Sequence, residues 1–304
     1  MDKKYELTDK TREWNGHTLH RIKALKDFSN VKKGNIGGWV EKEDNLSQDG
    51  DCWIGDDAKV YDNARVFLKA IIYGKAEIGG NSIIFDKAQV YGNAYINGNA
   101  KIFGDAKVFE KARVYDNAYI YDFTEICGDA EIYEDAQIYD HAEVWGNAKV
   151  HGYVEIREYA EVYGNAEVYD NVQLYGSARI HDFAIVYDKA KVYETAKVYG
   201  NSKVYGCAEI YGNAEICGDA DVKANDDYIV FKKFWEKLEY ITWTRSNNMW
   251  KVRRFYGNSD RLIQRALRDS IKDRKKYEIY VNFVKRLNVN YPRAKDSWAC
   301  KSPS

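Results

Sequence analysis

Between Ala58 and Asn225 the chain repeats a six-residue unit with no insertion or deletion. The unit reads Ala-x-(Val/Ile)-(Tyr/Phe)-(Gly/Asp)-(Asn/Asp), as in Ala160-Glu161-Val162-Tyr163-Gly164-Asn165. Leu46 and Cys52 carry the register further back. Six is not a helical period. Within each unit Ala-x-Val-Tyr alternates as a strand does, so Ala and Val/Ile share one side while x and Tyr share the other. The Gly/Asp-Asn pair that follows is turn chemistry, tolerant of left-handed backbone angles. A short strand and a turn in every unit predict a coil with three flat sides. Residues 18 apart then stack, and about ten coils at ~4.8 Å make a rod of roughly 48 Å. The expected fold is an all-β solenoid, a single-stranded parallel β-helix over residues 46–225. An N-terminal β cap is expected over residues 1–45 and a small α+β module over residues 226–304.

The near-neutral total charge hides an asymmetry: the first 44 residues carry +2, residues 45–224 carry −13, and the remainder +10. An acidic rod with a basic tail points to a partner rather than to a fold. Five cysteines are present, none in a CxxC pair, and no apolar run reaches membrane-span length. The N-terminus lacks the apolar core of a signal peptide. These features predict a reduced cytoplasmic protein with no membrane segment.

The first segment reads as a cap. Thr11 to Ile22 predicts a hairpin around Asn15-Gly16, the pair preferred where both turn residues need positive φ. Gly34, Gly37 and Gly38 then lead into Trp39-Val40-Glu41. His17 and His20 are expected to be surface or turn histidines, with no metal site. At the other end, Tyr228–Phe231 predicts a strand, and Tyr240–Phe255 a hairpin with an Asn-rich turn. Asn258 offers a helix cap before Leu262, Ile263, Ala266, Leu267 and Ile271 at helical spacing, and a second helix is expected over 274–287. Pro292 and Ser302-Pro303-Ser304 mark a loose end.

The hexads, with Val162 followed four residues on by Ala166 and Val168 by Val172, resemble the hexapeptide-repeat family. That resemblance implies a left-handed parallel β-helix. Many of the family's members are acyltransferases that act on amino, hydroxyl or nucleotide-sugar substrates, form trimers and use acetyl-CoA. A narrower resemblance lies in Leu19–Phe28, Gly37–Glu41, Asn45–Ser47 and Gly50–Ile54. These look like the opening of uncharacterised bacterial and prophage hexapeptide proteins that are termed transferases by analogy alone. The implication is a capped β-helix in a phage or mobile-element setting.

Acyltransfer in such a fold calls for a catalytic histidine and a loop that breaks the register, and this tract has no break. His151 falls on the first face, His141 at the corner after the second, and His181 on the third, so none shares a ladder. No catalytic residue, metal or cofactor is therefore assigned. The text changes instead at one corner. Phe123, His141 and Tyr159 replace Asn in three successive coils, followed by the stacked acids Glu125, Glu143 and Glu161, with Trp145 outward on the same face. Aromatics beside like charges suggest a partner-binding patch. In the C-terminal segment Lys251, Arg253, Arg254, Arg261 and Arg265 crowd together with Trp243 and Trp250. That group suits nucleic-acid backbone, or docking on an acidic rod, whether its own or a twin's.

The reading that results is a non-catalytic protein-interaction scaffold. Its finer form is an inhibitor whose acidic rod mimics nucleic acid and blocks a host nuclease or defence complex. The alternatives are acetyl-CoA-dependent acyltransfer and nucleic-acid binding through the basic module, with a homodimer or homotrimer left open.

Overall fold

The computed structural model describes residues 3–233 and 239–291; the expected loose end at Pro292 and Ser302–Ser304 lies outside them. From Trp53 to Val222 the chain forms two-residue strands, one per hexad, that stack into three parallel sheets. Each strand pairs with the one 18 residues away, as Lys101 does with Ile83 and Tyr119. The result is the predicted left-handed parallel β-helix of about ten coils. Ala and Val/Ile side chains fill its axis, and Ala100, Ile102, Ala118 and Ile120 are wholly buried. Small and branched residues alternate because the axis of a three-sided coil is narrow. The fourth position faces outward and stacks. Phe67, Phe85, Phe103, Tyr121 and Tyr139 form one continuous ladder with ring centroids 4.8–5.2 Å apart.

The fifth position is the left-handed corner, with φ +66 at Gly98 and +54 at Asp116. Where an acid stands there, its carboxylate does structural work. Oxygens of Asp56, Asp62, Glu110, Asp140, Glu158 and Asp188 each accept the backbone N–H of the corner residue one coil on, at 2.8–3.0 Å. Much of the tract's negative charge therefore satisfies backbone donors between coils.

A parallel solenoid leaves carbonyls unpaired at its first coil and N–H groups unpaired at its last. Both rows meet partners from the flanking segments. At the start, β1 (Tyr5–Trp14) and β2 (His17–Ala24) form the predicted hairpin, with Asn15 and Gly16 both at positive φ. The next strand, β3 (Ile36–Val40), pairs with β2 and runs parallel to Lys59–Val60 of the first coil. Asn45 donates to the carbonyls of Asp62 and Ala64. The buried Lys4 ammonium donates to those of Asp49, Gly50 and Cys52 at 3.0–3.4 Å. At the far end side-chain oxygens serve every face. The N–H groups of Glu209, Glu215 and Asp221 donate to Asn225 Oδ1 (2.7 Å), Thr242 Oγ1 (3.0 Å) and Ser246 Oγ (2.7 Å).

The C-terminal module packs a four-stranded antiparallel sheet (Tyr228–Lys233, Glu239–Thr244, Met249–Val252, Phe255–Gly257) against two helices. Helix α1 spans Ser259–Asp269, with Asn258 capping as predicted. Helix α2 spans Ile271–Asn290 and begins three residues earlier than expected. Ser270 caps it by accepting the Asp273 N–H (3.0 Å), which also separates Ile271 from α1. Ile271, which falls in α2, is exposed, as is Leu267 in α1, whereas Leu262 and Ala266 are buried.

Candidate functional site on the third face

Phe123, His141 and Tyr159 form an exposed stack at the corner before the third face, with centroids 4.9 and 5.1 Å apart and planes within 7°. Phe123 keeps 57% and Tyr159 62% of its surface in solvent. A buried ring would need no ligand to justify it, but these three coat water with apolar surface. Beside them Glu125, Glu143 and Glu161 pair in register on adjacent strands. The ladder is closed by cations at both ends. Lys107 holds Glu125 at 2.8 Å and Arg179 holds Glu161 at 3.1 Å. Glu143, in the middle, meets only carboxylates along the ladder. Partial burial, then the charges of Glu125 and Glu161, push its pKa above the usual glutamate range. Trp145 stacks on Tyr163 at 4.3 Å along the same face, above Cys127, whose thiol is raised to about 11 by burial and by Glu110, Glu125 and Glu143. That thiol is therefore protonated and unreactive at neutral pH.

A carboxyl with a raised folded-state pKa stabilises the fold only while protonated. Its contribution is lost as pH rises through the folded value. The isosteric change Glu143→Gln should therefore leave the rod at least as stable as wild type at pH 7. The difference should vanish as the pH falls below the usual glutamate range. Thermal melts at pH 4 and pH 7 check it; a Glu143→Gln protein that melts lower at pH 7 means the carboxylate is held by a contact that the register does not contain.

Two further corner aromatics lie outside this stack. Tyr153 and Phe183 also occupy the Asn position and are 69% and 60% exposed, but they stand on the other two corners. The same departure from Asn marks both in the sequence, but each lacks a stacked aromatic neighbour 18 residues away.

The basic module divides. Trp243 and Trp250 are wholly buried in its core, donating to Asn248 (3.0 Å) and Ser259 (3.0 Å), and offer no surface for a base to stack on. Lys251 reaches the rod and pairs with Glu215 at 3.5 Å, while Arg253 pairs with Glu239. Arg254, Arg261 and Arg265 remain exposed, Arg265 lying over Phe255 at 5.6 Å. The module thus docks on the last coil of its own rod, where Asn247 also meets Asp219 at 2.9 Å.

The histidines sit in separate environments. His151 stacks between Tyr133 and Tyr169, with Glu134 at 3.6 Å and Glu167 at 3.5 Å. His181 stacks between Tyr163 and Tyr199. Two of the chain's concavities lie at the ends of the rod, one by Lys42, Asp44 and Arg65, the other by Glu215, Tyr240 and Lys251; neither is lined by a histidine. Among the described residues no helix is long and apolar enough to cross a membrane.

No protein-family model matches the chain. It is similar to the uncharacterized acetyltransferase YdcK of Escherichia coli (strain K12), with 47% identity over 38 residues. The match spans 12% of this chain and 12% of that protein. With the parallel β-helix, this similarity is consistent with the transferase-like hexapeptide proteins.

Proposed function

We propose that the chain is a non-catalytic interaction rod whose third face receives a protein partner carrying arginine or lysine side chains. The observation that carries this reading is Glu143, a carboxylate without a cation in a ladder that supplies one to each neighbour, set beside three exposed stacked rings. A guanidinium entering there would gain an ion pair and an aromatic face together. A basic nuclease or defence complex is one such partner; the similarity to YdcK brings no phage or anti-defence setting with it. Affinity capture with wild-type and Glu143→Arg rods side by side, over a salt series, tests the assignment. A protein retained by wild type at low salt should be lost by at least about tenfold on charge reversal. Equal retention by both rods sinks the patch as the site.

The YdcK similarity favours a second reading, acetyl transfer. His151, bracketed by Glu134 and Glu167, would be its general base, since a base needs an orienting carboxylate. The end concavities contain no histidine, so neither of them forms a cradle for acetyl-CoA around that base. A cofactor that binds the folded state raises its melting temperature. The interaction reading expects no shift with acetyl-CoA; a shift that His151→Ala abolishes would establish transfer instead. Nucleic-acid binding would fall to Arg254, Arg261 and Arg265, and requires a steep salt dependence that charge reversal there weakens.

A further inference from the structure

Away from the third face, three side chains from three elements converge beside the first coil. His17 follows the Asn15-Gly16 turn, Glu41 follows β3, and Asp62 occupies a left-handed corner at φ +57. His17 Nδ1 lies 3.1 Å from Glu41 Oε1, and its Nε2 lies 3.5 Å from Asp62 Oδ1. Each carboxylate is held from behind by its other oxygen: Glu41 accepts the Asp62 N–H at 2.6 Å, and Asp62 accepts the Gly80 N–H at 2.9 Å. The imidazole rests against Tyr61, with centroids 5.0 Å apart. All three groups are partly open to solvent, so an ion can reach them.

A neutral imidazole has one N–H. In the neutral tautomer that donates from Nδ1 to Glu41, the Nε2 lone pair faces Asp62 Oδ1. Carboxylate-to-Nδ1 orientation of this kind is what metal-binding histidines use to fix the tautomer and aim Nε2. The gap also has the right width. Metal–nitrogen and metal–oxygen arms of about 2.1 Å at a tetrahedral angle span about 3.4 Å, against the 3.5 Å found.

We propose that His17 Nε2 and Asp62 Oδ1 bind a divalent transition metal of the Zn²⁺ class, with Glu41 as the positioning residue and water completing the coordination. The three residues are the ones whose ligand atoms lie within 4.8 Å of one another among the described residues. Imidazole with carboxylate selects zinc, cobalt or nickel over calcium and magnesium, which prefer oxygen alone. The ion would fasten the N-terminal hairpin to the first coil, a place where the solenoid's unpaired carbonyls need a firm cap.

The full-length chain is titrated with Zn²⁺ by calorimetry and thermal melting, and with Co²⁺ by visible absorption. Wild type should take up one equivalent, melt higher with Zn²⁺, and show weak cobalt bands without a sulfur charge-transfer band. Cys127→Ser should behave as wild type, which excludes the thiol as the ligand. His17→Ala and Asp62→Asn should lose the binding. Should either fold poorly, His17→Gln provides a side chain of similar reach without the imidazole. Glu41→Gln should weaken binding by about 10- to 100-fold while keeping the cobalt spectrum, the mark of an orienting rather than a ligating residue. Unchanged binding in His17→Ala and His17→Gln, or no saturable binding by wild type, overturns the assignment.

Discussion

Ile132→Ala is expected to lower stability by about 2–5 kcal/mol, the range for emptying a buried branched side chain. Ile132 is wholly buried and pairs on the first face between Val114 and Val150. The axis offers no slack to close the hole, because its neighbours above and below are already branched and each is fixed by two ladders of backbone hydrogen bonds. The loss should also be local. Each coil touches only the coils beside it, so stability is a sum of coil and interface terms rather than a property of one core. Amide exchange followed by mass spectrometry should show protection falling most in the coils around residues 114–150 and least at the two caps. Ile132→Val, which leaves most of the volume, should cost only about 0.5–1.5 kcal/mol. A uniform loss of protection along the whole rod would contradict the nearest-neighbour picture.

The rod was legible because its signal is local and repeated: a period of six with branched residues inward admits one register. The two ends were less legible for a physical reason. Asn225, Thr242 and Ser246 cap three different faces, yet nothing in their neighbours marks them. Their role exists only where the last coil's N–H row meets a segment folded back on it. Charge is legible only in part, in the same way. Counted along the chain, the acids of residues 45–224 look like a surface for a partner. Placed on the corners, Asp56, Glu110 and Asp188 turn out to serve backbone donors one coil away. The third-face patch was legible in part. The stacking of Phe123, His141 and Tyr159 follows from their spacing, and the same 18-residue spacing sets Lys107 and Arg179 at the ends of the glutamate ladder; what spacing leaves open is that their side chains reach Glu125 and Glu161.

Trp250→Ala should unfold the C-terminal module and leave the rod standing. The two hydrophobic cores are separate: Trp243, Trp250, Val252, Leu262, Ala266, Tyr277, Val281 and Val284 form one of their own. Trp250 is wholly buried at its centre, and its indole N–H donates to Ser259 in the first turn of α1, so the side chain joins sheet to helix. Truncation of a buried tryptophan costs about 3–5 kcal/mol. A module of this size has little more than that to lose. The helical component of the circular dichroism should fall while the sheet signal of the rod persists. A secondary effect separates this from simple loss of a domain. Thr242 and Ser246 cap the N–H groups of Glu215 and Asp221, and Lys251 pairs with Glu215. With the module unfolded, two of the three faces lose their terminal acceptors, and the exposed edge becomes a template for another strand. The variant should therefore associate end to end as concentration rises, seen as a growing sedimentation coefficient, whereas Thr242→Val alone, which keeps the module folded, should remove one cap and fray only the third face. If Trp250→Ala melts rod and module in a single transition, the module is an integral part of the solenoid's core rather than a lid upon its end.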